Sequence, residues 1–341
     1  MNRSQRKLEH IKYAIESNST EGNYFDDLTL IHQSISSLHW DSIDLCVDLG
    51  ELSLSSPLFI SAMTGGGGTK TEEINKKLAI AASHTGVAMS VGSQMAAVKD
   101  KTEEASFKIV RKENPEGIIF ANLGSEASVD QAQKAIHMLE ADALQIHLNT
   151  LQELIMPEGD RDFTSTAKNI ESIVRHIHIP VIVKEVGYGM SKETANRLKQ
   201  LGVTYIDVSG KGGTNFSKVE NRRRKKPLQA FNNWGIPSPA AIKEVKKAFP
   251  DCNLLASGGI RNGLDGAKSM VLGAKAFGMA GTLLKVLLEE GLEALQEQID
   301  QVHEEVKLAM LLLDCTKTYE LENKPYVSTG YLNDWFTQRR I

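Results

Sequence analysis

Eight short apolar runs, each trailed by a stretch of helical spacing, constrain this chain more than any other feature. They begin near Leu58, Val87, Ile118, Ala143, Val181, Tyr205, Leu254 and Ala276. Most lie about 22 to 38 residues apart, the length that one strand, one helix and two loops require. Helix signals fill the gaps. Ser128-Val-Asp-Gln131 matches a capping box ahead of Ala132, Ala135, Ile136 and Leu139. Thr164 is placed to cap a segment with Ile170, Ile173, Val174 and Ile177 on one face. Ser238-Pro239 sets a cap residue before a first-turn proline, and Asn262 is placed to cap a helix carrying Leu264, Ala267, Met270 and Val271. Alternating strands and helices imply a parallel sheet, because parallel neighbours need a crossover. Eight units favour an α/β chain closed as a (β/α)8 TIM barrel. No Gly-x-Gly-x-x-Gly opens the first unit, which weighs against a dinucleotide fold.

The barrel pattern occupies 58–300, with an N-terminal extension over 1–57 and a C-terminal helix and tail over 301–341. Arg3, Arg6, Lys7, His10 and Lys12 make the start basic, which on the residues alone reads as a frayed, solvated terminus. Ile43-Asp-Leu-Cys-Val47 and Glu51-Leu-Ser-Leu54 flank Gly50 as a short hairpin suited to cap the barrel floor. Residues 283–313 keep helical spacing through Leu287, Leu292, Leu295, Ile299, Val302, Val306 and Met310. The tail that follows, with Tyr319, Tyr326, Tyr331 and Trp335, gives no functional signal. The net charge of −4 leaves no nucleic-acid footprint. No apolar run is long enough to span a membrane. The polar start is not a secretory signal, and Cys46, Cys252 and Cys315 are odd in number and far apart. Reduced thiols in a cytoplasmic protein are therefore expected.

In a barrel of this kind, the C-terminal ends of the strands build the site. The last two strands end in Ala256-Ser-Gly-Gly-Ile-Arg261 and Met279-Ala-Gly-Thr282, where small residues let backbone N–H groups approach an anion. These are either a phosphate site or two ordinary strand–helix turns. The gap of about 50 residues after the sixth strand holds Lys211-Gly-Gly-Thr-Asn-Phe-Ser and the basic run 222–226. That run is either a mobile solvated segment or an anion clamp or subunit contact. Earlier strands end in Ser61-Ala-Met-Thr64, Ser90-Val-Gly-Ser93-Gln94, Asn122, Gln145-Ile-His147-Leu-Asn149, Lys184-Glu185 and Asp207-Val-Ser209. Strand alternation puts Gln145, His147 and Asn149 on one face and pairs Ile182 with Lys184. A lysine ending an apolar strand wants an anion or an electron-rich ring, or else a buried ion pair with a neighbouring glutamate. No serine has an evident histidine base, and no histidine–cysteine group has zinc spacing. Glu153, Glu158, Asp160 and Asp162 could offer oxygen to Mg²⁺ or be plain loop acids. The residues thus describe a barrel for a phosphorylated planar cofactor and leave its reaction open.

The motifs resemble those of the type 2, flavin-dependent isopentenyl-diphosphate isomerases over most of the chain. They include Arg6-Lys7-Leu-Glu-His10, Met63-Thr-Gly-Gly, Ser90-Val-Gly-Ser-Gln94, Gln145-Ile-His-Leu-Asn-Thr-Leu-Gln-Glu153 and Pro157-Glu-Gly-Asp160. They continue in Val183-Lys-Glu-Val-Gly187, Asp207-Val-Ser-Gly-Lys-Gly-Gly-Thr-Asn-Phe216 and Ala256-Ser-Gly-Gly-Ile-Arg261. The basic start together with His-Leu-Asn-x-x-Gln-Glu is the specific part; the flavin pieces are shared with other FMN barrels.

The resemblance implies interconversion of isopentenyl and dimethylallyl diphosphate by a 1,3 proton shift. It implies FMN acting in its reduced form as acid and base, NADPH as reductant, Mg²⁺, and a homotetramer or homo-octamer. By carry-over, FMN would be held by Ser61, Ala62, Met63, Thr64, Ser93, Asn122, Lys184, Ser209, Thr214, Gly258, Gly259, Ile260, Arg261, Ala280 and Gly281. Arg6 and Lys7 would bind the substrate diphosphate, replacing the frayed-terminus reading. Ser93, Gln94, Met95 and Gln152 would also bind substrate, with Gln152, His147 and Asn149 catalytic and Glu153 on the metal. The competing reading is an FMN oxidoreductase of the 2-hydroxy-acid oxidase or inosinate dehydrogenase type. The first needs a histidine closely followed by arginine after a late strand and the second a loop cysteine, whereas this chain runs Ser209-Gly-Lys-Gly-Gly there.

Overall fold

The computed structural model describes residues 23–341. A one-turn 3-10 helix, Tyr24–Asp27, leads into β1 (Leu28–Leu30). A hairpin follows, β2 (Val47–Leu49) antiparallel to β3 (Leu52–Leu54). The eight barrel strands are β4 (Leu58–Ile60), β5 (Ala88–Ser90), β6 (Ile119–Gly124), β7 (Ala143–Leu148), β8 (Val181–Glu185), β9 (Tyr205–Asp207), β10 (Asn253–Ser257) and β11 (Ala276–Met279). Every neighbouring pair is parallel, and β11 pairs with β4 to close the ring.

Side-chain alternation sorts the core into two parts. Phe59, Ala88, Phe120, Ala143, Ile182, Tyr205, Leu255 and Ala276 point inward, one from each strand, and form a separate buried cluster. The hairpin supplies the rest of that cluster through Val47, Leu49, Leu52 and Leu54, so it plugs the barrel floor. Its turn is fixed by Gly50, at φ +69°, where a Cβ would sit 2.5 Å from the Tyr205 hydroxyl. The same hydroxyl accepts the Glu51 N–H at 2.9 Å. Leu58, Ile60, Leu144, Ile146 and Val183 face outward against the helices.

The helices between β4 and β8 are α1 (Thr69–Thr85), α2 (Met95–Lys99), α3 (Ala105–Glu113), α4 (Val129–Leu139), α5 (Thr150–Ile155) and α6 (Thr166–His176). Then come α7 (Lys192–Gln200), α8 (Phe216–Asn221), α9 (Ser238–Ala248), α10 (Gly263–Val271) and α11 (Gly281–Glu289). The capping box at Ser128 and the Asn262 cap form as expected. Two caps differ. Thr164 lies outside α6 and its hydroxyl donates to Asp162 Oδ1 at 2.6 Å, so Ser165 is the cap position. Ser238 is inside α9, with Pro237 before it, and its hydroxyl turns to carbonyls of the β10 loop.

The periodic stretch after β11 is two helices, not one. Gly291, at φ +101°, separates α11 from α12 (Leu292–Leu312), which runs through position 300. The tail adds β12 (Tyr326–Ser328) and α13 (Gly330–Arg339). β12 pairs antiparallel with β1, which returns the tail to the residues at the barrel mouth.

Candidate active site

A cavity of about 660 Å³ opens at the C-terminal end of the barrel. Ser61 to Thr64, Ser93, Met95, Asn122, His147, Asn149, Gln152, Glu153, Lys184, Ser209, Thr214, Gly258 to Arg261, Ala280 and Gly281 all line it. Eight strand ends separate in sequence thus converge, because every parallel strand ends on the same face. Arg6 and Lys7 lie outside the described residues. Gln94 departs from the expectation. It is fully buried; its Oε1 accepts the Asn122 N–H and its Nε2 donates to Ala135 O, both at 2.9 Å. The amide is spent joining β6 to α4 and does not line the cavity.

The cavity base is a ladder of polar side chains. Ser90 Oγ donates to Gln145 Oε1 at 2.5 Å, and His147 Nδ1 meets Asn122 Oδ1 at 2.8 Å. An amide oxygen only accepts, so Nδ1 carries the hydrogen and Nε2 keeps the lone pair. Burial, then the nearby Lys184 ammonium, pull the imidazole down to about 4, so it is neutral at ordinary pH. Lys184 is itself 5% exposed, and its Nζ donates to the Glu185 carbonyl at 2.7 Å. Its carboxylate partner is Asp207, 3.9 Å away on β9. The side chain of the adjacent Glu185 instead accepts the N–H groups of Val186, Gly187 and Tyr188 at 2.5–2.8 Å. Burial pushes Glu185 up to about 7 against the pull of those bonds.

Along one wall, Gln152 Nε2 donates to Glu220 Oε1 at 3.2 Å. Glu220 is fully buried and pairs with Arg223 Nη1 at 2.5 Å; Arg223 also meets Glu158. Arg224 donates to Ile155 O at 2.6 Å. The basic run after β9 is therefore neither a free solvated segment nor an open anion clamp at these two positions: it docks α8 onto α5. Sequence reasoning missed Glu220 because its partner is 68 residues away. Glu153 accepts Asn149 Nδ2 at 2.8 Å and Asp160 N–H at 2.9 Å. Burial raises its carboxyl above the usual range. Among the described residues no group of three or more His, Cys, Asp or Glu converges on a metal position. An ion here would take one carboxylate and fill its remaining positions from water and substrate oxygens, as Mg²⁺ commonly does.

The opposite wall suits a phosphate monoester. Gly258 and Gly259, at φ +90° and +76°, press on the loop after β9; a Cβ on Gly258 would lie 2.1 Å from Gly210 O. No backbone acceptor among the described residues meets the N–H groups of residues 258–260. The N-terminus of α11 has no side-chain cap and no acidic residue in its first turn. Arg261 lines the cavity, but its guanidinium is held by Asp26 at 2.6 Å and Asp265 at 2.7 Å. A glycine cradle, unmet N–H groups and a helix N-terminus fit the phosphate of FMN, and a cavity of this volume, with both polar and apolar lining, has room for its ring system and side chain.

Residues 125–328 match the FMN-dependent dehydrogenase family. The crystal structure of mandelate oxidase with (S)-2-phenylpropionate superposes with a TM-score of 0.66 at 16% identity, covering 95% of each chain. At that identity the likeness speaks for the barrel alone. An isopentenyl-diphosphate delta-isomerase of Geobacillus sp. (strain WCH70) is 52% identical over 339 residues, covering 99% of this chain and 97% of the relative. That of Bacillus licheniformis is 50% identical over 341 residues, covering 100% and 98%. No helix among the described residues is long and apolar enough to cross a membrane. With half of its residues shared over the full length and a flavin-type barrel beneath them, the chain belongs to the isopentenyl-diphosphate delta-isomerase family, in its FMN-barrel form.

Proposed function

We propose that the chain interconverts isopentenyl and dimethylallyl diphosphate by a 1,3 proton shift. The observation that carries this is the wall His147, Asn149, Gln152 and Glu153, amide-rich and without a nucleophile, set opposite a phosphate cradle in one cavity. An alkene is a very weak base, so its protonation needs a site that excludes water and tolerates developing positive charge. His147 suits that need: kept neutral by burial and Lys184, it offers hydrogen bonding without a like charge beside the cation. Gln152 has its Nε2 fixed by Glu220, which leaves Oε1 to orient a proton in transit.

FMN would be held by the cradle at 258–260, the α11 N-terminus and Lys184; bound and reduced, it supplies an acid–base nitrogen and an electron-rich face with no net redox change. NADPH serves as the reductant. Glu153 ligates Mg²⁺, and Arg6 and Lys7 grip the diphosphate, so anchoring energy comes from atoms remote from the reacting carbons. A homotetramer or homo-octamer in the cytoplasm completes the reading. Incubation with isopentenyl diphosphate in D₂O tests it. Dimethylallyl diphosphate bearing deuterium in a methyl group supports the proton shift, whereas consumption of an electron acceptor with substrate would favour the oxidoreductase reading.

A further inference from the structure

We propose that Asn23 and Ser238 are positioning residues for the cofactor phosphate, each setting one peptide plane of the 258–260 loop. The proposal rests on the reading that this loop holds the phosphate of FMN. In a planar trans peptide the carbonyl and the next N–H point in opposite directions. Ser238, 1% exposed at the start of α9, donates its hydroxyl to the Gly258 carbonyl and sits 3.2 Å from the Ser257 carbonyl. The Gly259 N–H is thereby turned away from α9. Asn23 Nδ2 donates to the Gly259 carbonyl at 2.6 Å, which turns the Ile260 N–H to the side opposite Asn23. Two glycines in succession would otherwise leave these planes free to flip, since glycine adopts either sign of φ readily. Hydrogen bonds from outside the loop select the one arrangement in which successive N–H groups form an anion-binding concavity.

Asn23 is well suited to this. Its Oδ1 accepts the Phe25 N–H at 3.0 Å, so Nδ2 is the atom left for Gly259. The segment behind it is held on both sides. Lys268 Nζ donates to Phe25 O at 2.8 Å, and Asp26 pairs with Arg261. From the tail, the Thr329 N–H donates to Asp27 O at 2.9 Å, and the Tyr331 ring packs at a tilt against Tyr24, centroids 5.4 Å apart. The C-terminal tail, silent in sequence, thus supports the cofactor site through Asn23.

The test compares FMN with riboflavin, which lacks the phosphate, by quenching of flavin fluorescence on the apoprotein. Asn23→Ala and Ser238→Ala should each weaken FMN about tenfold and leave riboflavin within about twofold, a loss of roughly one charge-assisted hydrogen bond. Asn23→Asp, which cannot donate and repels the carbonyl, should lose more FMN affinity than Asn23→Ala. Should Ser238→Ala fail to fold, the two Asn23 variants carry the test alone. Equal losses for both flavins, or no loss of FMN, would overturn the proposal. A wild-type chain that binds riboflavin as tightly as FMN would overturn the phosphate reading itself, and this inference with it.

Discussion

His147 gives a pH dependence whose sign and size both follow from its surroundings. The unfolded chain takes up a proton at this ring near pH 6.5, while burial and the Lys184 ammonium delay it in the fold to about 4. The stability this residue contributes is complete above pH 6.5 and is lost as pH falls toward 4, because only the unfolded state gains the proton in that window. Each pH unit inside the window costs about 1.4 kcal/mol. That is about 2 kcal/mol between pH 8 and pH 5 for a fully shielded ring; water reaching the ring from the cavity trims it to about 1 kcal/mol. The assay is urea denaturation of the FMN-free protein at pH 8 and pH 5, for the wild type and His147→Gln. The wild type should lose about 1 kcal/mol more than the variant on acidification. Equal losses, or a larger loss in the variant, would mean that the imidazole is already charged in the fold and that the neutral-acceptor role is wrong.

Four substitutions probe other parts of the account. Gln152→Asn shortens the side chain by one methylene and breaks its reach to Glu220, 3.2 Å away, so turnover should fall at least about tenfold with FMN and substrate binding retained; full turnover would remove Gln152 from the mechanism. Arg223→Met takes the guanidinium from the buried Glu220 and should lower stability by about 3 kcal/mol, read as a drop in thermal midpoint. Leu49→Ala opens a cavity under the barrel and should cost about 3 kcal/mol while leaving FMN affinity unchanged, since the floor and the mouth are at opposite ends. Gly258→Ala puts a Cβ 2.1 Å from Gly210 O at φ +90°, and the purified protein should come without flavin.

The repeat of strand and helix was legible because each βα unit carries its own signals: an apolar run, a cap, and a face at helical spacing. All eight strands fall within a residue or so of where the runs begin. The polar strand ends were legible for a related reason, since a buried strand rarely ends in His147 or Lys184 without use. Contacts across long sequence distance were not. Nothing near Lys184 in sequence pointed to Asp207 rather than Glu185 as its carboxylate, because that choice depends on which strands are neighbours. Gln94 resembled a ligand in its motif, yet its amide is used inside the protein. Asn23 and the tail carried no local signal at all. Their meaning comes from β1 pairing with β12, which brings residues 28–30 beside residues 326–328.

As an isopentenyl-diphosphate isomerase, this barrel moves a proton and not a hydride. The most direct test is anaerobic conversion of isopentenyl diphosphate with FMN, Mg²⁺ and NADPH, each omitted in turn, with product and NADPH both counted. Dimethylallyl diphosphate should form in large excess over NADPH consumed, with no product when FMN, reductant or Mg²⁺ is left out. NADPH consumed one for one with product, or no product from the complete mixture with flavin bound and reduced, would contradict this.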